Sequence, residues 1–138
     1  MTEYKLPLPT KQPESDFYWE KAQAHELWVR MCNACGGAYF YPRDICPKCY
    51  SNDVSWVQAT GKGTLHAYSI VERGPIPSFR DAVPYVAALV DLDEGPRVPT
   101  NLVGVEFDDE HIKIGMAVEV TFDDVTDEVT LPKFKPAS

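Results

Sequence analysis

Four cysteines, all within eighteen consecutive residues, are the side chains of this sequence best placed to do chemistry. They fall in two pairs, Cys32-Asn33-Ala34-Cys35 and Cys46-Pro47-Lys48-Cys49. A C-x-x-C turn brings two sulfurs together with backbone N–H groups facing them, so each pair can cover one side of a tetrahedral ion. Two such knuckles complete a four-cysteine shell with zinc–sulfur distances of about 2.3 Å. Gly36 and Gly37 follow the first knuckle, where the chain must turn with positive φ. Pro47 stiffens the second.

Iron is the main competitor, because the Cys-Gly and Cys-Pro-x-Cys steps also resemble rubredoxin knuckles. Rubredoxins place a longer segment between their knuckles than the ten residues from Gly36 to Ile45. A disulfide would suit a secreted chain, and the polar, proline-rich start does not read as a secretory signal. Redox C-x-x-C motifs occur singly. Cys32, Cys35, Cys46 and Cys49 are therefore expected to hold a structural Zn²⁺. A closed shell of four thiolates leaves no open position, so no catalysis is expected at the metal.

The remaining side chains supply little catalytic chemistry. His25, His66 and His111 are scattered without a partner pattern. There is no Gly-x-Ser-x-Gly elbow, P-loop or dinucleotide fingerprint. The paired carboxylates Asp108/Asp109 and Asp123/Asp124 fall in turn-like segments, where solvation is the simpler role. The sequence does not read as an enzyme on its own.

The elements that must position the cysteines can be read from the pattern. Residues 1–28 form a proline-bearing extension and a helix from Ser15 or Asp16 to about Leu27, capped by Ser15 or Asp16. Phe17, Tyr18, Trp19 and Trp28 crowd this helix and need a surface to pack on, either the protein's own core or another subunit. Residues 29–58 form the ribbon. Residues 59–138 turn to strand patterning at Gly63–Val71, Pro84–Leu92, Thr100–Val105, Ala117–Phe122 and Asp127–Leu131. The second of these is apolar enough to be covered on both faces, and Ile112 and Ile114 are expected to be buried before the fourth. Five short antiparallel strands after a ribbon suggest a closed barrel of the OB type. The predicted fold is thus mainly β: an N-terminal helix, a four-cysteine zinc ribbon and a five-stranded OB-fold barrel. In it the cysteine cluster would clamp the helix side to the barrel.

The chain of 138 residues carries 13 basic and 21 acidic residues, a net charge of −8. That balance disfavours phosphate-driven binding to nucleic acid and to an anionic membrane surface. The longest apolar run, Val86–Val90, is too short to cross a bilayer. A cytoplasmic location is the resulting expectation.

The order of features is similar to a known family. An aromatic helix, Cys-x-x-Cys-Gly, Tyr41-Pro42-Arg43, Cys-Pro-x-Cys, Trp56, Gly61-Lys62-Gly63-Thr64 and a proline-bearing loop follow one another. Pro84-Tyr85-Val86-x-Ala88-Leu89-Val90 and Ile114-Gly115-Met116-x-Val118-Glu119-Val120 complete the series. From Tyr18 to about Asp124 this resembles the OB-fold proteins with a rubredoxin-like zinc ribbon catalogued as domain of unknown function 35. The family often has two prolines before the arginine, where this chain has Tyr41-Pro42. The resemblance implies a non-catalytic subunit of a hetero-oligomer with a thiolase-like protein acting on acyl-CoA thioesters, by thiolysis, retro-aldol cleavage or acyl transfer. Such a subunit stabilises its partner and shapes an acyl-CoA channel shared with it.

The expected contact residues are Phe17, Tyr18, Trp19 and Trp28 on the helix, with Arg73, Pro75, Ile76, Pro77, Phe79 and Arg80 in the loop. Aromatic residues and arginine dominate interface energetics. Arg43, Arg73 and Arg80 could meet CoA phosphates or partner carboxylates, and a surface salt bridge is the plainer role for each. Two alternatives stand beside this reading: a single-stranded nucleic-acid-binding OB domain and a rubredoxin-like electron carrier.

Overall fold

A computed structural model describes residues 6–74, 76–80 and 82–137. The first element, α1 (Asp16–Gln23), is four residues shorter than the helix pattern suggests. Ser15 stands at its N-cap without a side-chain cap; its hydroxyl instead pairs with the backbone of Gln12 at 3.0 and 3.2 Å. The helix stops because His25 takes the left-handed conformation, φ 61°. The Glu26 N–H then reaches the Lys21 carbonyl at 2.9 Å and the His25 N–H reaches Ala22 at 2.9 Å. This is a Schellman closure with histidine where glycine is usual. The His25 ring is held by stacking on Phe122, 5.0 Å between centroids, and by the Asp124 carboxylate at 3.0 Å.

Leu27 and Trp28 therefore leave the helix, and Trp28 opens strand β1 (Trp28–Cys32). β1 is the centre of a three-stranded antiparallel sheet with β2 (Ala38–Tyr39) and β3 (Val54–Gln58). Both cysteine knuckles project from this sheet. Strands β4 (Lys62–Val71), β5 (Tyr85–Leu92), β6 (Arg97–Leu102), β7 (Ala117–Asp124) and β8 (Thr130–Pro136) close a barrel in the order β4-β5-β6-β8-β7. This is the five-stranded OB architecture expected from the strand count.

One pair departs from the all-antiparallel expectation. β6 and β8 run parallel and meet through a single register pair, Leu102 with Phe134. Pro99 in β6 and Pro132 in β8 lack N–H groups, so this seam cannot build a full ladder. β7 and β8, by contrast, pair continuously from Val118/Pro136 to Asp124/Thr130. Along β5 burial alternates, leaving Ala87 and Leu89 outside, so only one face is covered by the chain itself. Ile112 is buried as expected, whereas Ile114 is 66% exposed.

The main core holds Leu65, Val86, Val90, Leu102, Val118 and Phe134 from the barrel, joined by Tyr18, Leu27 and Val29. Full burial of each such aliphatic side chain stabilises by about 1.5–3 kcal/mol. Helix and ribbon base thus share the barrel's core, and the Ala59 N–H to Leu27 carbonyl bond (2.8 Å) ties them together. Further bonds join the helix side to the β7–β8 turn: Gln23 Nε2 to the Asp127 carbonyl at 3.2 Å and Lys11 Nζ to the Glu128 carbonyl at 2.7 Å. The cysteine cluster lies outside this contact. Cys32, Cys46 and Tyr39 form a separate small core, so the helix docks on the barrel directly rather than through a cysteine clamp.

Candidate metal centre and partner-facing surfaces

The two knuckles are built alike. In the first, the Cys32 N–H bonds the Gly37 carbonyl and the Gly36 N–H returns to the Cys32 carbonyl, both at 2.9 Å. In the second, the Cys46 N–H bonds Ser51 and the Tyr50 N–H returns to Cys46, again at 2.9 Å. The fifth residue of each is left-handed, Gly36 at φ 79° and Tyr50 at φ 64°. Asn33 fastens the first knuckle to the base of the second through the Asp53 carbonyl at 2.9 Å and its carboxylate at 3.1 Å.

The result is a set of four sulfurs all within 4.8 Å of one another. Cys32 and Cys49 Sγ are 3.5 Å apart, and Cys35 and Cys46 Sγ 3.7 Å. A tetrahedron with about 2.3 Å metal–sulfur bonds has edges of about 3.8 Å, so the donors fit a metal and are far too distant for disulfides. Backbone N–H groups of Cys35 and Lys48 approach Cys32 and Cys46 Sγ at 3.4 Å each. The Cys49 N–H, with that of Lys48, holds the Cys46 thiol down to about 6. Cys32 is likewise lowered, chiefly by the Cys35 N–H. Cys49 moves up to about 11: the Ser51 N–H lowers it, and hydrogen bonding shared with Cys32, burial and the remaining thiols outweigh that pull. Four thiolates this close require a cation among them. The arrangement can hold a metal ion, and a tetrahedral shell of these four thiolates would leave no open coordination position.

The other expected contact residues fall into two groups. Phe17 is half-buried against Trp28 (5.3 Å, edge to face) and Trp56 (4.7 Å), with the Lys21 ammonium over it at 5.3 Å. Tyr18 is buried in the main core, where burial pushes its phenol well above the usual range. Trp19 and Phe40 pack on Tyr18 at 5.0 and 5.7 Å. Most of the helix's aromatic surface is therefore spent inside the chain. Arg43 is exposed on the ribbon, with Glu14 at 3.8 Å. In the β4–β5 loop, Pro77–Phe79 forms one 3-10 turn, and Phe79 packs on Tyr85 at 5.5 Å. Ile76 is 45% exposed, and Arg73 and Arg80 are exposed. Pro75 lies outside the described residues.

Two surfaces were not legible as sites. The outer face of β4, β5 and β6 carries a shallow apolar cavity of about 340 Å³, lined by residues including Ala67, Tyr68, Ala87, Leu89 and Pro99. OB folds commonly read oligonucleotides on this face with stacking aromatics and basic residues. Here the lining includes no cation, and its one aromatic residue, Tyr68, packs against the barrel core. The second surface is a pair of adjoining cavities between the ribbon hairpin and the β6–β8 seam. Its residues come from several separate segments, and the one available signal was the prolines that interrupt β6 and β8. Each histidine also proves to have an aspartate partner: His25 with Asp124, His66 with Asp91 at 3.6 Å, and His111 with Asp108 at 2.7 Å. No described helix is long and apolar enough to cross a membrane.

A cysteine-clustered ribbon set on a closed five-stranded barrel defines a two-part metal-ribbon and OB-fold protein. Residues 19–55 match the family model described as "ChsH2, rubredoxin-like zinc ribbon domain", and residues 56–123 match "ChsH2, C-terminal OB-fold domain". A "DUF35 domain-containing scaffold protein" of Methanothermobacter thermautotrophicus is 37% identical over 107 residues, covering 77% of this chain and 78% of that protein. The chain belongs to this DUF35 family. It is also 39% identical over 131 residues to a "Probable enoyl-CoA hydratase alpha subunit" of Thermomonospora curvata. That match takes in 95% of this chain but only 40% of that subunit's length. Among solved structures, a chain of the "Ltp2-ChsH2(DUF35) aldolase" superposes with a TM-score of 0.82 and 38% identity, over 95% of this chain and all of that one.

Proposed function

We propose that this protein is the non-catalytic, zinc-binding subunit of a hetero-oligomer with a thiolase-like protein that acts on acyl-CoA thioesters. The observation that carries this is the match to the DUF35 chain of the Ltp2-ChsH2 aldolase, complete on that side and extending over both ribbon and barrel. The reaction class is C–C cleavage by thiolysis or retro-aldol chemistry, or acyl transfer, with the reacting groups supplied by the partner. Cys32, Cys35, Cys46 and Cys49 would hold Zn²⁺, which here supplies folding energy rather than Lewis acidity.

The partner surface proposed is the loop with Arg73, Ile76, Phe79 and Arg80, together with the uncovered outer face around Leu89. Both expose apolar side chains, Ile76 in the loop and Leu89 on the outer face. The subunit would stabilise its partner and wall part of the acyl-CoA channel. The test is co-expression with thiolase-like proteins followed by size-exclusion chromatography and an acyl-CoA assay. Co-elution with one zinc per chain supports the reading. A chain that remains alone with every thiolase-like protein tried would overturn it.

A further inference from the structure

We infer that the groove between the ribbon hairpin and the barrel seam seats an extended acidic segment of a partner protein, one that sets carboxylates beside aromatic or aliphatic side chains. This rests on the accessory-subunit reading above and names a surface that reading does not use. The groove consists of two cavities of about 350 and 470 Å³ that share Phe40 and Tyr41. One end is apolar, walled by Trp19, Phe40, Pro99, Leu131 and Pro132. Tyr41, 62% exposed, forms the ledge between the ends. The other end carries Arg43, Lys48 and Arg97, and Lys133 adds a fourth cation at the apolar end.

Charge selects the occupant. Acidic residues outnumber basic ones 21 to 13 in the chain, yet no aspartate or glutamate lines either cavity. The groove's lining is therefore cationic on an anionic protein, although carboxylates of the chain itself stand beside three of its four cations. Its capacity for charge is small. Arg97 is already bound by Asp91 at 2.7 Å and Lys133 by Asp123 at 2.8 Å, while Arg43 has Glu14 only at 3.8 Å. Lys48 forms no ion pair among the described residues, and its ammonium leans over the first knuckle beside Gly37.

Such a site suits one or two carboxylates, which guanidinium groups bind in a planar fork. It suits a polyphosphate poorly, since that requires a run of unpaired cations and would meet the repulsion of the whole chain. The adjoining aromatic and proline walls give an apolar anchor from the same segment a desolvated seat. The place follows from the sequence: Pro99 and Pro132 prevent β6 and β8 from zipping fully, and the apolar cavity lies over that incomplete seam.

The test uses the co-expressed complex. In Tyr41→Ser/Arg43→Glu, at unchanged zinc content and urea midpoint, the dissociation constant should rise at least tenfold. Carbodiimide coupling followed by mass spectrometry should join Lys48 or Lys133 to aspartate or glutamate of the partner. A complex whose affinity changes less than twofold, with no such cross-link, overturns the groove while leaving the accessory role standing. If the double variant loses zinc or stability, Arg43→Ala and the cross-link map decide instead. A labelled 15-nucleotide single strand that binds the wild type at micromolar concentration, and not the variant, would overturn the acidic segment in favour of nucleic acid. A wild-type chain that joins no thiolase-like protein removes both readings together.

Discussion

Gly63 sits where the barrel closes, and replacing it with alanine should be among the most damaging single-methyl changes in the molecule. It pairs with Leu92 of β5 on one side and Val118 of β7 on the other. A Cβ built there would lie 2.6 Å from the Asp91 carbonyl oxygen, 2.7 Å from Val90 Cγ1 and 3.3 Å from the Asp91 carbonyl carbon. Comfortable separations between such atoms are about 3.5 Å or more, so β5 would have to retreat by most of an ångström. It cannot retreat cheaply, because Asp91 is held between Thr64 of β4 and Arg97 of β6. Overpacking of a tight interior costs about 1–3 kcal/mol, and a backbone obstacle places this case at the upper end.

For a chain of this length, about 3 kcal/mol corresponds to a fall of roughly 10 °C in Tm. Urea unfolding followed by tryptophan fluorescence and far-ultraviolet circular dichroism, with zinc present, measures it. Gly37→Ala is the control. Its added methyl meets Lys48 Nζ at 3.5 Å and Cys35 Sγ at 3.6 Å, ordinary contacts, so it should stay within about 0.5 kcal/mol of wild type. If Gly63→Ala also stayed within that margin, the crowding argument for the barrel seam would be refuted.

Three further outcomes are expected. Cys46→Ser should bind less than one zinc per chain by elemental analysis and lose hydrogen-exchange protection in the ribbon, while barrel amides keep theirs, because the cysteine core and main core are separate. His25→Gly should be more stable than His25→Ala by about 1 kcal/mol in urea titration, since both lose the Phe122 stack and only alanine pays for the left-handed backbone; equal midpoints would contradict the Schellman assignment. The Asp91, Asp108 and Asp124 carboxyls are held below the usual range, chiefly by Arg97, His111 and the Thr130 hydroxyl respectively. A depressed folded pKa gives stability that is present above the unfolded value of about 3.9 and lost as pH falls through the folded one. The part of the urea midpoint that these carboxylates supply should therefore be lost only below about pH 4, and Asp124→Asn should flatten that part of the fall.

The parts of this molecule written in local spacing could be read from the chain, and the parts made by distant segments could not. Two C-x-x-C pairs imposed the knuckles, and β-rich runs set β4, β5 and β7 nearly to their ends. β6 begins three residues earlier than its pattern, at Arg97, because Pro99 made the first half look unlike a strand. β8 runs on to Pro136 for the same reason, with Pro132 concealing the continuation past Leu131. The helix end was missed because its left-handed residue is histidine, whose tolerance there comes from Phe122 and Asp124, nearly a hundred residues away. Ile114 looked interior by composition, yet it lies on a turn that exposes it. The groove could not be foreseen at all: no short window holds Trp19, Arg43, Arg97 and Pro132 together.

The barrel's closure has a consequence for solubility. A closed sheet leaves little free strand edge for another chain to extend: every barrel strand has neighbours on both sides, and at the one incomplete seam, β6 with β8, Pro99 and Pro132 have no N–H to offer. The three-stranded ribbon sheet differs, because β2 is only two residues long and β3 ends the sheet with Val54-Ser55-Trp56-Val57-Gln58. That short, uncharged, β-branched edge is the place among the described strands where intermolecular sheet growth could most readily begin. β3 is registered on β1, and β1 ends in the first metal ligand, Cys32. An ion held by the cysteine cluster would thus also guard against aggregation: by ordering the knuckles it would keep this open edge short and fixed in register.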